Sequence, residues 1–194
     1  MNNKSNLILF LIIILAVFSR LFIAIPNFTA IGALALFCGA IANKNKYSLA
    51  IPFIALLASD VMLISLGKKY SDYFLNGYFI YVYIAFALTW LIGKLINNRL
   101  KTSNILLASL ASSVSFFLIT NFGSWLQLAM YPKTIQGLGQ SYLAGLAFYK
   151  TGLFSNFLGN QILGDLFFAA LLFGSYFLMQ HLFVSKLKPV KIKN

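Results

Sequence analysis

From Leu7 to Val184 the chain is a succession of apolar runs, parted by short connections that hold nearly all of its lysine and arginine. A run of about 20 apolar residues spans the roughly 30 Å hydrocarbon core of a bilayer as a helix, and a helix satisfies its own backbone polar groups there. The 194 residues are 60% hydrophobic and 9% charged, leaving no stretch for a soluble domain of useful size. The sequence therefore predicts one all-α integral membrane domain over 1–194. The formal charge of +12 would suggest nucleic acid in a soluble protein. Here the cations sit in connections and tails, where they fix orientation and meet anionic lipid, so nucleic-acid binding is not expected. A single cysteine, Cys38, excludes an internal disulfide, and with no CxxC or HxxxH spacing neither a metal site nor a cofactor is expected.

The pattern predicts about six transmembrane helices, at about 7–25, 30–42, 48–66, 78–95, 103–122 and 160–184, with an amphipathic or re-entrant segment at about 135–149. The first run has no small-x-small cleavage site after Leu7–Phe18 and reads as a retained helix rather than a signal peptide. Pro26-Asn27-Phe28-Thr29 forms a turn in which Thr29 is placed to cap the next helix. That helix is short enough to be re-entrant. Its Gly32, Ala35 and Gly39 offer a small-residue surface for a partner helix, as do Ala108 to Ser115 in the fifth. Between the fifth and sixth helices, Ile135, Leu138, Tyr142 and Leu146 recur at helical spacing opposite Gln136 and Gln140. This reads as a helix lying at the interface or folded over a cavity mouth.

Six crossings put both termini on one side. Lys4, Lys44, Lys46, Lys94, Arg99, Lys101 and four tail lysines then fall inside, against Lys68, Lys69, Lys133 and Lys150 outside. The excess predicts a bacterial inner-membrane protein, multi-pass, with cytoplasmic termini.

No glutamate is present, and of three aspartates two, Asp60 and Asp165, lie inside apolar runs, as does Arg20. An intramembrane charge is expensive and marks a functional site by default. Counted from the predicted helix ends, all three fall in one layer of the outer half. Asn27, Thr29, Asn121, Trp125, Tyr131, Lys133, Asn160 and Gln161 belong to the same half, with Gln161 and Asp165 on one helical face. Polar groups gathered on one side over apolar packing predict an outward-facing site for a small molecule, with Arg20, Asp60 and Asp165 as its charged core. The plainer reading is that Arg20 pairs with an aspartate only to neutralise it, the amides serving as interhelical hydrogen bonds. A proton path through the aspartates would instead give a proton-coupled carrier. Catalysis finds little support: HExxH is absent and the one histidine, His181, lies at the inner end of the last helix. With no P-loop, the chain is not expected to drive ATP-powered transport itself.

The segments Pro26–Ala40, Leu57–Asp60, Thr120–Trp125, Met130–Thr134 and Leu163–Gly174 resemble a family of uncharacterised bacterial membrane proteins described as transport proteins. The family pattern reads approximately PNFTP[IV]xALALFGGA, LLSD, TNFxxW, MYPKTxxGL and GDLxxxALLFG. Ala30 stands where the pattern has Pro, and Cys38 where it has Gly. More distantly, the size and helix number are similar to the substrate-binding S components of energy-coupling-factor vitamin transporters. That likeness implies capture of a vitamin-like or metal-containing solute, with a separate transmembrane coupling protein and ATPases as partners. The rival class is a structural or assembly subunit of a larger membrane complex, its small-residue helices forming the interfaces.

Overall fold

The computed structural model describes residues 14–23, 25–42, 46–67, 76–147 and 154–186, and among them it is helical throughout, with no strand. The helices are α1 (14–22), α2 (Ile31–Ile41), α3 (Ala50–Ser65), α4 (Phe79–Ile96), α5 (Thr102–Gln127), α6 (Ile135–Leu146) and α7 (Phe157–Lys186), with a 3-10 turn at Asn97–Arg99 between α4 and α5. Three segments, Phe79–Arg99, Thr102–Gln127 and Phe157–His181, are long and apolar enough to cross a membrane. The expected first helix extends beyond the described residues on its N-terminal side, and most of the polar stretch after α3 lies outside them.

α2 forms the axis of the bundle. Its 11 residues rise only about 16 Å, about half a hydrocarbon core, and every residue from Ile31 to Ala40 is buried. It packs chiefly against α4 and α7, and α5 lies against both of those. Small residues make the approach possible. A Cβ on Gly39 would lie 2.0 Å from the Trp90 carbonyl oxygen, and one on Gly93 would lie 2.2 Å from the Leu36 carbonyl oxygen, so the α2 and α4 backbones touch where both lack a side chain. At its other end, Gly32 meets Asp165. The small-residue surface is thus spent on helices of the same chain. The outer faces of the bundle instead carry Ile54, Leu57, Val61, Leu91, Leu107, Leu118, Leu171 and Leu178, all exposed. Apolar residues outside with serines, threonines and two aspartates inside suit lipid as the solvent.

Several helix ends differ from expectation. α5 continues to Gln127, five residues past the predicted 122; Gly123 seats against the Tyr81 ring, where a Cβ would come within 2.3 Å, and one turn earlier Thr120 Oγ1 donates to Phe116 O at 2.8 Å and Asn121 Nδ2 to Phe117 O at 2.8 Å. α7 begins at Phe157 rather than 160, since Asn156 Oδ1 accepts from Gly159 N at 2.6 Å as an N-cap. Thr29 does not cap α2. The Ala30 amide donates instead to Ser19 Oγ of α1 at 3.0 Å, which ties α1 to the start of the central helix.

α6 lies over the end of the bundle where α4 and α7 begin, its N-cap Thr134 accepting from Gly137 N at 3.1 Å. Its buried side is the small-residue face: Leu138 and Tyr142 of the apolar stripe are only half-buried, and Gln136 and Gln140 are exposed. Gly137, Ser141 and Gly145 face inward, and Ile135, Leu143 and Leu146 are exposed. A Cβ on Gly145 would meet the Phe117 ring at 2.6 Å and Asn121 Oδ1 at 2.9 Å, so close seating on α5 requires the small face rather than the apolar one.

Candidate functional site

Arg20, one turn from the end of α1, reaches across to α3. Its Nη1 forms an ion pair with Asp60 Oδ1 and donates to Ser59 Oγ at 2.7 Å, with Leu56 O at 3.4 Å. Ser59 in turn donates to Leu56 O at 2.7 Å, so one turn of α3 gathers its acceptors around Nη1. Asp60 is fully buried behind the pair, and its Oδ2 has no hydrogen-bond partner among the described residues. Arg20 is partly exposed, and the space it faces is a cavity of about 390 Å³.

This chamber is built from every helix around the axis. Arg20 and Leu56 form one side, Val82 and Phe86 of α4 and Phe116 and Thr120 of α5 the other, and Gln161 of α7 closes it, with the 23–29 connection across the end. Asn27, Tyr78 and Thr120 also line a second chamber of about 240 Å³, bounded by Asn121, Ser124, Tyr131, Gly145 and Phe157. The two spaces therefore adjoin beneath α6, with these three residues at the neck between them. Asn27 stands at that neck in the left-handed backbone region, φ 61°, which Asn adopts more readily than most residues.

Asp165, also deeply buried, has no cation paired with it among the described residues. Ser113 Oγ lies 2.7 Å from its Oδ2, and Gln161 Nε2 donates to the same oxygen at 2.7 Å. The Oδ1 oxygen has no hydrogen-bond partner among the described residues and rests on Gly32, where a Cβ would come within 2.2 Å of it. Gly32 lies in the first turn of α2, and the positive end of that helix dipole favours a carboxylate there. Gln161, which lines the chamber, gives its amide nitrogen to Asp165.

The predicted residues thus divide into three sets. Arg20, Asn27, Thr29 and Gln161 line the deep chamber, and Asn121 and Tyr131 the outer one. Asp60 and Asp165 line neither; they stand behind Arg20 and Gln161. Asn160 is buried and donates from Nδ2 to Pro26 O at 2.8 Å, fastening α7 to the 26–29 turn. Trp125 and Lys133 line neither chamber. Trp125 Nε1 donates to Pro132 O at 2.9 Å, and Lys133 Nζ bonds to Trp125 O and to Leu128 O, the latter at 2.9 Å, closing the carbonyl end of α5. Expected in the polar set of the site, they instead form a corner that ties the end of α5 to the turn before α6. Sequence reasoning missed Tyr78, Thr120 and the apolar wall, and it read Ser113 only as a packing residue. Thr120 stands beside Asn121 in a motif already singled out, whereas nothing local marks Ser113. No group of three or more His, Cys, Asp or Glu side chains comes together among the described residues.

The chain belongs to a family of unknown function, DUF6580, whose model matches residues 1–187. No curated protein and no solved structure matches it.

Proposed function

We propose that this chain is the solute-binding membrane component of a transport system, and that its two joined chambers hold a small molecule near one face of the bacterial inner membrane. The observation that carries this reading is the deep chamber itself. It is enclosed between helices, mixes one charged and several polar groups with an aromatic and aliphatic wall, and is of a size suited to a small ligand. Packing alone does not require such a void in the middle of a bundle, since interiors close to near-crystalline density.

Six crossings place the neck on the face opposite both termini, which makes it outward-facing. In that arrangement α2 and α3, shorter than the three long spans, run at membrane depth with α2 shielded from lipid by its neighbours, where a short or broken helix is tolerated. Without an ATP-binding motif, uphill transport requires a separate energising partner, as in the energy-coupling-factor arrangement. The structural-subunit reading is less well supported, because Gly32, Ala35 and Gly39 are buried inside the chain and offer no free surface for another protein.

Mild purification from the native membrane, followed by native mass spectrometry and release of bound small molecules, tests the proposal. A stoichiometric compound is expected with the wild type and is absent from a folded Thr120→Trp variant, whose indole fills the neck. Equal retention by that variant, or a bare polypeptide in both, refutes it.

A further inference from the structure

Independently of what the chambers hold, we infer that the lipid-facing cleft between α3 and α4 binds one anionic phospholipid, its acyl chain lying along the cleft and its phosphate at Lys46 and Lys94. The cleft follows from how the two helices meet. α2 and α4 touch backbone to backbone through glycines, but α3 and α4 are held apart by rings. Phe53 stacks on Tyr83 with 5.4 Å between centroids and 5° between planes, and Phe79 meets Tyr83 edge-on at 6.0 Å. Outside this aromatic floor lies an open space of about 600 Å³ walled by Ala50, Ile54 and Leu57 of α3, and a second of about 380 Å³ continues it over the same rings to Ile84 of α4. Ile54, Leu57 and Ile84 are exposed, and the Tyr83 hydroxyl is buried, so the cleft presents carbon.

An apolar groove at membrane depth is filled by hydrocarbon, because an empty one forfeits its dispersion contacts. Charge at one end makes this groove selective. Among the described residues that line it, Lys46 is the only charged one, exposed in the turn that leads into α3. Trp90 Nε1 donates to Ser48 Oγ at 3.3 Å, which brings the later part of α4 beside that turn. Each of two lysines there rests on a ring, Lys46 on Tyr47 at 4.9 Å and Lys94 on Trp90 at 5.5 Å, and neither forms an ion pair among the described residues. Tyrosine and tryptophan at a helix end mark the headgroup level, so the lysines stand where a phosphodiester stands. Two cations with no acid beside them favour a headgroup whose only charge is the phosphate, and disfavour one that also carries an amine. A partner helix is the poorer occupant: close seating of helices needs small residues, whereas a flexible chain conforms to the branched walls at Ile54, Leu57 and Ile84.

The test places the full chain in detergent micelles with phosphatidylglycerol, phosphatidylethanolamine or phosphatidylcholine of identical acyl chains, and counts retained lipids by native mass spectrometry. One phosphatidylglycerol is expected to be held about tenfold more tightly than either zwitterionic lipid. In Lys46→Gln/Lys94→Gln, whose altered side chains are exposed and leave the packing untouched, the preference should collapse to about onefold. Lys101→Gln, before α5 and outside the cleft, should leave it unchanged. A folded Ala50→Trp variant, its indole filling the cleft, should release lipids of all three kinds. Equal retention of the three lipids by the wild type, or phosphatidylglycerol still held by Ala50→Trp, overturns the inference. An equal loss of preference in Lys101→Gln overturns it too, by showing a diffuse basic surface instead of a site. A photocrosslinking residue in place of Ile54, activated in native membranes, separates the occupants: lipid adducts are expected, and a crosslink to a distinct polypeptide in their place overturns the assignment to lipid.

Discussion

The two buried aspartates occupy equivalent positions beside one chamber, yet they are stabilised in different ways. Asp60 faces a full cation, Arg20, and shares it with Ser59. Among the described residues Asp165 has a serine hydroxyl, a glutamine amide and the first turn of α2. Both stand behind the wall rather than in it. What each supplies to the chamber is the group in front of it: a fixed guanidinium in one case, a fixed amide in the other. An intramembrane carboxylate can therefore be essential to a site without touching its ligand, by deciding which end of a neighbouring group is presented.

The contrast predicts a ranking of losses in unfolding experiments on the protein in micelles. The largest follows from separating the ion pair. Arg20→Gln leaves a fully buried carboxylate uncompensated and should cost about 3–5 kcal/mol, whereas the double variant Arg20→Gln/Asp60→Asn should recover much of that. A double variant no more stable than the single would show that the pair contributes little beyond packing. Next, Asp165→Asn should cost about 1–3 kcal/mol, since hydrogen bonds alone are rearranged. Equal losses at Asp60 and Asp165 would erase the distinction. Gly32→Ala should fall in the same range, about 1–3 kcal/mol, by pressing on the Asp165 carboxylate. Combined with Asp165→Ala, its penalty should shrink; an undiminished penalty would mean that the glycine matters for another reason. Smallest is Ser113→Ala, about 1 kcal/mol, read from the same melts.

The sequence made the membrane class, the helix order and the special status of Arg20, Asp60 and Asp165 legible, because apolar runs and isolated charges within them are strong local signals. The helix at Ile135–Leu146 was also readable, though the expected segment ran on to 149, beyond the described residues, and which face it buries was not. An apolar stripe faces inward when water is the alternative; beside lipid that preference vanishes, and the glycine and serine face at Gly137, Ser141 and Gly145 wins by fitting closely. The partition of site residues was equally hidden. Whether a polar side chain faces a chamber or fastens a corner depends on tertiary contacts, and Lys133, Trp125 and Asn160 carry no local mark of the backbone carbonyls they bind. For the same reason α5 was read too short: Gly123 and Ser124, just past the predicted end at 122, look like loop residues until the close seat of Gly123 on the Tyr81 ring is seen.

Thiol accessibility in intact cells offers the most direct test of a chamber that opens on the face opposite the termini. In a Cys38→Ser background, Thr120→Cys at the neck should react with a membrane-impermeant maleimide added outside, and Ser109→Cys, buried between helices, should not. Protection of Thr120→Cys from outside with labelling only in inverted vesicles would contradict that orientation, and no labelling from either side would contradict an open chamber.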